Sequence, residues 1–206
     1  MFFRTERSVK EFLIKYPIVS SIAIINLVLW FMVSFLKLPF ALKLYDLGIG
    51  HNLSVLLLNE YWRLFTPIFL HADLSHVVFN TFSLVLFGPA LEKMIGKFKF
   101  ISIYLITGII GNIGTFIVDI QSITPHLGAS GAIYGLFGVY IYIILFRKDL
   151  ISKSDSQIII TILVLGLVMT FLRSNINISA HLFGFLGGFI IAPLVLRKAR
   201  NFFSYR

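Results

Sequence analysis

Apolar residues in this chain gather into six runs, at about 18–36, 74–91, 100–118, 129–146, 156–172 and 177–196. Each run holds roughly 17–20 residues, and at a rise of ~1.5 Å per residue that is enough to cross about 30 Å of hydrocarbon. A backbone surrounded by lipid must satisfy its own hydrogen bonds, so the runs are predicted to be helices. None of them contains Asp, Glu, Lys or Arg. The pattern therefore predicts an all-α membrane protein: a six-transmembrane-helix bundle over residues 18–196. A basic N-terminal segment, 1–17, precedes it and a basic tail, 197–206, follows. The joints are short except for residues 37–73, where Leu53–Leu58 and Trp62–Leu70 are too apolar for a solvated linker. That loop is expected to lie partly in the lipid surface, with Trp62 at the interface and Arg63 anchored to headgroups or to backbone carbonyls.

Composition agrees with this class, since 58% of the 206 residues are hydrophobic and 13% are charged. A net charge of +9 raises nucleic acid as a partner, but the placement of the cations argues for membrane orientation instead. Arg4, Arg7, Lys10 and Lys15 precede the first run, and Lys93, Lys97 and Lys99 join the second to the third. Arg147, Lys148 and Lys153 join the fourth to the fifth, and Arg197, Lys198, Arg200 and Arg206 follow the last. Lys37, Lys43, Arg63 and Arg173 alone fall on the other side. The positive-inside rule then places both termini in the cytosol. The first apolar run is too long for a signal peptide and lacks a clean small-x-small cleavage site, so it reads as a retained span. The absence of cysteine excludes disulfides, thiolate catalysis and cysteine zinc sites.

Apart from tyrosine, the acid–base side chains within the runs are His76 and His181. An ionisable group at membrane depth is costly and marks a functional site by default. With the N-terminus inside, even-numbered spans descend from the outer face. His76 and Asn80 then lie near the start of span two, Ser130 opens span four, and His181 lies a few residues into span six, all at similar depth. His76 and Asn80 share a helix face, as do Ser130 and Tyr134, each pair being spaced i, i+4. Gly131, Gly135 and Gly138 form a small-residue stripe on span four, while Gly184 and Gly188 lie on the His181 face of span six. Close packing through such stripes would bring Ser130 towards His181. Singly, each feature has a bland reading: Gly-x-Ser-Gly as helix packing, an intramembrane histidine as a buried hydrogen-bonding group or proton relay. Their shared depth is what favours hydrolytic chemistry. Metal binding by His71, His76 and His181 is the weaker reading, because no intramembrane carboxylate accompanies them.

Five segments together resemble the rhomboid family of intramembrane serine proteases. They are Glu60-Tyr-Trp62-Arg63, His71-Ala-Asp-Leu-Ser-His76-Val-Val-Phe-Asn80, Gly88-Pro-Ala-Leu-Glu92-Lys, Gly128-Ala-Ser130-Gly131-Ala-Ile-Tyr134-Gly135 and Ala180-His181-Leu-Phe-Gly184-Phe-Leu-Gly187-Gly188. They occur in family order over roughly residues 18–196, and the chain is similar to the minimal six-span bacterial form.

The resemblance implies a serine–histidine dyad: Ser130 as nucleophile and His181 as general base, then general acid. It assigns the oxyanion hole to His76, Asn80 and the Ser130 backbone N–H, and the packing of the histidine ring to Tyr134. Gly128 and Gly131 would let the backbone turn closely around the site. No cofactor or metal is implied. The implied partners are transmembrane protein substrates and membrane lipids. The topology places the site towards the outer face, and a bacterial cytoplasmic membrane is expected, with an organellar membrane as the alternative. Small side chains at the cleavage position are the family tendency, and the need to unwind a substrate helix favours small or helix-breaking residues near the outer membrane face. Glu92, at the inner end of span two, is expected to brace the fold by hydrogen bonding. Two other classes compete with this one: a non-catalytic rhomboid-like protein that binds membrane helices, and a histidine-based transporter or proton channel. The first normally lacks the serine or the histidine, and the second calls for charged pairs or broken helices in matched halves.

Overall fold

A computed structural model of the chain describes residues 6, 8–172 and 176–199. Arg4, Arg7, Arg173, Arg200 and Arg206 of the charge pattern lie outside the described residues, as does most of the basic tail. Among the described residues the architecture is helical, with one isolated β-bridge between Gly50 and His126.

Helix α1 (Val9–Lys15) leads into α2 (Pro17–Trp30), which continues as a π-helical turn over Phe31–Phe35. Pro17 suits the first turn of α2, where its missing N–H is no loss. The next two N–H groups donate to the Glu92 carboxylate, Ile18 at 3.0 Å and Val19 at 2.9 Å. Glu92 is buried, so its negative charge is matched to the positive end of a helix dipole and braces α2 against the second span.

Helices α3 (Pro39–Gly48) and α4 (Asn52–Leu58) and two 3₁₀ turns, Tyr61–Leu64 and Thr66–Phe69, build the long loop. The loop is therefore a folded element. Arg63 is buried within it and donates to the carbonyls of Asp46 and Ile49, each at 2.8 Å. Backbone carbonyls, one of the two anchors expected for Arg63, hold it here. Trp62 stays half exposed and donates to the Leu47 carbonyl.

Helices α5 (Leu74–Ile95), α6 (Lys97–Val118), α7 (Ser130–Phe146), α8 (Lys153–Leu172) and α9 (Ile178–Leu196) follow. Among the described residues, five helical segments are long and apolar enough to cross a membrane: Pro17–Phe35, Leu74–Ile95, Lys97–Val118, Lys153–Thr170 and Ile178–Leu196. The fourth expected span is the shorter apolar helix α7, of 17 residues. Several helices outrun their apolar runs at polar ends: α5 takes in Glu92, held by the α2 N–H groups, and Lys93, and α8 starts at Lys153.

Helix α7 is the centre of the bundle. Gly131–Tyr140 is buried throughout, and α7 packs most extensively on α9 and then on α6. The glycines set how close the helices come. A Cβ on Gly184 would overlap the Gly131 carbonyl, one on Gly188 the Gly135 carbonyl, and one on Gly138 the Phe185 carbonyl. The α7 and α9 backbones thus touch directly, an approach that larger residues would prevent.

Candidate active site

Four elements converge at the start of α7. Asp73 caps α5, accepting the His76 N–H at 2.8 Å, and so fixes His76 in the first turn. Asn80 follows one turn later, buried, with its amide donating to the His76 carbonyl at 3.1 Å. The chain enters α7 through Gly128, whose φ of +127° favours glycine. The Gly128 N–H donates to the Pro67 carbonyl at 2.9 Å, tying this entry to the folded loop. A Cβ on Gly128 would lie 2.6 Å from His76 Nε2 and 3.7 Å from Ser130 Oγ. His76 and Ser130 therefore face the same side of this glycine. Ser130 is the first residue of α7, where the backbone N–H groups have no intrahelical partner.

The start of α9 supplies His181. The Asn177 side chain caps this helix by accepting the Ala180 N–H at 3.0 Å, and Thr115 Oγ1 of α6 lies 3.0 Å from the same oxygen. A Cβ on Gly131 would sit 3.3 Å from the Ala180 carbonyl. The residues adjoining Ser130 and His181 are thus in contact through their backbones. Among the described residues no hydrogen bond joins Ser130 to His181, and the side chain of Asn80 bonds its own helix. Such bonds are often long or misaligned before substrate binds.

The His181 ring is buried and closely held. Tyr134 stacks on it with ring centroids 4.1 Å apart and planes inclined by 11°. Thr170, on α8, lies 2.9 Å from His181 Nδ1 and 3.0 Å from the Tyr134 hydroxyl, and back-bonds to the Gly166 carbonyl at 2.8 Å. Sequence reasoning missed Thr170. A single threonine in an apolar helix ordinarily bonds only its own i−4 carbonyl, and the contact that sets Thr170 apart is made across three helices.

Next to His76 lies a second histidine. His71 is 1% exposed, and its ring meets that of His76 edge-on with centroids 5.0 Å apart. Burial first, and the neighbouring His76 second, lower the His71 pKa to about 3, which keeps it neutral. Asp73 is held below the usual carboxylate range, chiefly by the Ser75 hydroxyl and then by the His76 N–H. Among the described residues no three His, Asp or Glu gather as a metal site.

Residues 58–198 match the family model described as the Rhomboid domain. This chain belongs to the rhomboid family. It is 47% identical over 200 residues to "Putative rhomboid protease YdcA" of Bacillus subtilis (strain 168), covering 96% of this chain and 98% of that protein. It is 41% identical over 150 residues to "Rhomboid protease GluP" of the same organism, covering 72% of this chain and 29% of GluP. A plant relative, "RHOMBOID-like protein 5" of Arabidopsis thaliana, is 32% identical over 142 residues, 68% of this chain and 46% of that protein. The chain thus spans nearly all of one relative and less than half of each of the other two. As a rhomboid with several long apolar helices it is an integral multi-pass membrane protein. The rhomboid match includes every residue of the converging site, from His71 to His181.

Proposed function

We propose that this rhomboid is an intramembrane serine endopeptidase that cleaves peptide bonds in or near transmembrane segments of other proteins. The observation that carries the reading is the convergence at the head of α7. Ser130 lies at a helix N-terminus, the stacked His181 stands on the adjoining helix, and His76 faces the same glycine as the serine.

Ser130 Oγ attacks the scissile carbonyl while His181 takes its proton. The oxyanion that forms is met by the Ser130 N–H and by the side chains of His76 and Asn80, donors placed where charge develops. His181 then returns the proton to the leaving amine, and water repeats the cycle on the acyl-enzyme. Asn80 would have to turn from the His76 carbonyl, or use its second N–H, to serve.

In this reading α7 is a sixth span, both termini are cytosolic, residues 18–196 form the protease domain between basic segments 1–17 and 197–206, and the site opens to the outer face of a bacterial cytoplasmic membrane. At about 25 Å, a 17-residue helix is shorter than the hydrocarbon layer, which suits a nucleophile set below the outer surface. A substrate helix hides its carbonyls in its own hydrogen bonds. It must unwind to react, which favours small or helix-breaking residues at the cut.

The test is cleavage of a labelled transmembrane substrate by the purified protein in liposomes, beside Ser130→Ala and His181→Ala. Wild-type cleavage lost in both variants, with a fluorophosphonate probe labelling Ser130, supports the reading. Well-folded wild type that neither cleaves nor labels, or cleavage that persists in Ser130→Ala, overturns it.

A further inference from the structure

The Thr170 hydroxyl has one proton and two lone pairs, and three groups surround it. The Gly166 carbonyl can only accept, so at 2.8 Å it takes the threonine proton. The other two neighbours, the Tyr134 hydroxyl and His181 Nδ1, must then each donate to the threonine oxygen. A lone pair of Thr170 facing a deprotonated Nδ1 would be repulsive, so Nδ1 carries hydrogen. Thr170 is 2% exposed, so water does not compete for these bonds. Gly166 keeps the arrangement open, because a Cβ there would come within 3.0 Å of the Tyr134 hydroxyl.

We propose that Thr170 is a positioning residue that holds the His181 proton on Nδ1 and leaves Nε2 as the bare nitrogen that receives the Ser130 proton. The proposal rests on the serine endopeptidase reading for its consequence, though not for the tautomer itself. In a serine triad a buried carboxylate orients the histidine and fixes its tautomer. Here a neutral hydroxyl, itself saturated by Gly166 and Tyr134, fixes the tautomer with no second charge among the spans, where an ion is expensive. It also makes α8 part of the site: a displacement of α8 that carries Thr170 away releases the histidine proton to either nitrogen.

The test compares wild type, Thr170→Val, which keeps the shape and loses the hydroxyl, and Thr170→Ser, which keeps the hydroxyl. Ser130→Ala is the inactive reference. The readouts are kcat and KM for substrate cleavage, thermal stability, and ¹⁵N-histidine resonances, with the His181 signals assigned by their loss in His181→Ala. Wild-type His181 should show a protonated Nδ1 and an unprotonated Nε2, and Thr170→Val should show a mixture of tautomers. The expected kinetic result is a kcat about ten- to a hundredfold lower in Thr170→Val with KM nearly unchanged, recovered for the most part in Thr170→Ser. A wild-type His181 protonated on Nε2 overturns the proposal, as does a tautomer unaltered by Thr170→Val, including where activity falls only through lost stability or a raised KM. If well-folded wild type neither cleaves substrate nor labels with a fluorophosphonate, the endopeptidase reading fails, and the nitrogen resonances still decide whether Thr170 fixes the proton.

Discussion

Gly128 joins two demands at one residue: a backbone with φ +127° and a Cα surface close enough to admit the His76 ring. Gly128→Ala violates both, by strain where L side chains are rare and by contact with His76 Nε2. The expected outcome is a fall in kcat of more than tenfold, because the ring that would meet the oxyanion is displaced, with a smaller fall in melting temperature. Steady-state cleavage and thermal unfolding of the variant check it. His71 and His126 give a second prediction. Their pKa values in the folded protein are lowered to about 3 and about 4, both mainly by burial, whereas the unfolded chain protonates near the ordinary value of about 6.5. The unfolded state therefore binds protons first as pH falls. Both contributions to stability are complete above about 6.5 and decline as pH drops through 6 and 5, each with a slope of up to about 1.4 kcal/mol per pH unit. Melting temperature in detergent from pH 7.5 to 4.5 measures this, and His126→Gln should give a shallower decline than wild type.

The glycines of α7 and α9 act at the scale of helices. A Cβ on Gly188 meets a backbone carbonyl that can yield only if the two helices part, whereas one on Gly187 meets the end of the Ile110 side chain at 2.9 Å. Gly188→Ala is therefore expected to destabilise by about 3 kcal/mol, the upper end of the usual overpacking cost, and Gly187→Ala by clearly less. Parallel melting curves order the two, and reduced cleavage by any folded Gly188→Ala protein would follow from drawing His181 away from Ser130. These contacts also show what sequence could and could not reveal. The Gly131/Gly135/Gly138 stripe and the Gly184/Gly188 face were legible because small residues at helical spacing have one structural use. The helices inside 37–73 were not, because α3 and α4 are short and are held by tertiary bonds such as Asn52 Nδ2 to the Asp119 carbonyl at 2.6 Å. The π-helical turn at Phe31–Phe35 carries no marker that periodicity could detect. Thr170 was hidden for a related reason: its meaning depends on which helix stands beside α8, and one sequence does not contain that.

Orientation belongs to the whole molecule, because it decides from which side of the membrane the head of α7 is reached. Of the 18 lysines and arginines, fourteen are grouped with the termini and with the α5–α6 and α7–α8 joints, which the positive-inside rule assigns to the cytosol. The same division leaves the α6–α7 connection, residues 119–129, without a lysine or arginine. Since the protein has no cysteine, single introduced thiols can report on either side without background. Thr124 in the α6–α7 connection and Ser154 near the start of α8 are both exposed, and neither side chain makes a hydrogen bond among the described residues, so each is expected to tolerate replacement. In intact bacterial cells, a membrane-impermeant maleimide is expected to label Thr124→Cys and to reach Ser154→Cys only after permeabilisation. Cleavage products of a substrate tagged at both ends should then place the cut on the Thr124 side. The reverse labelling would put His76, Ser130 and His181 at the cytosolic face. The positive-inside argument would then fail, and a protease at this site would have to release its products inward.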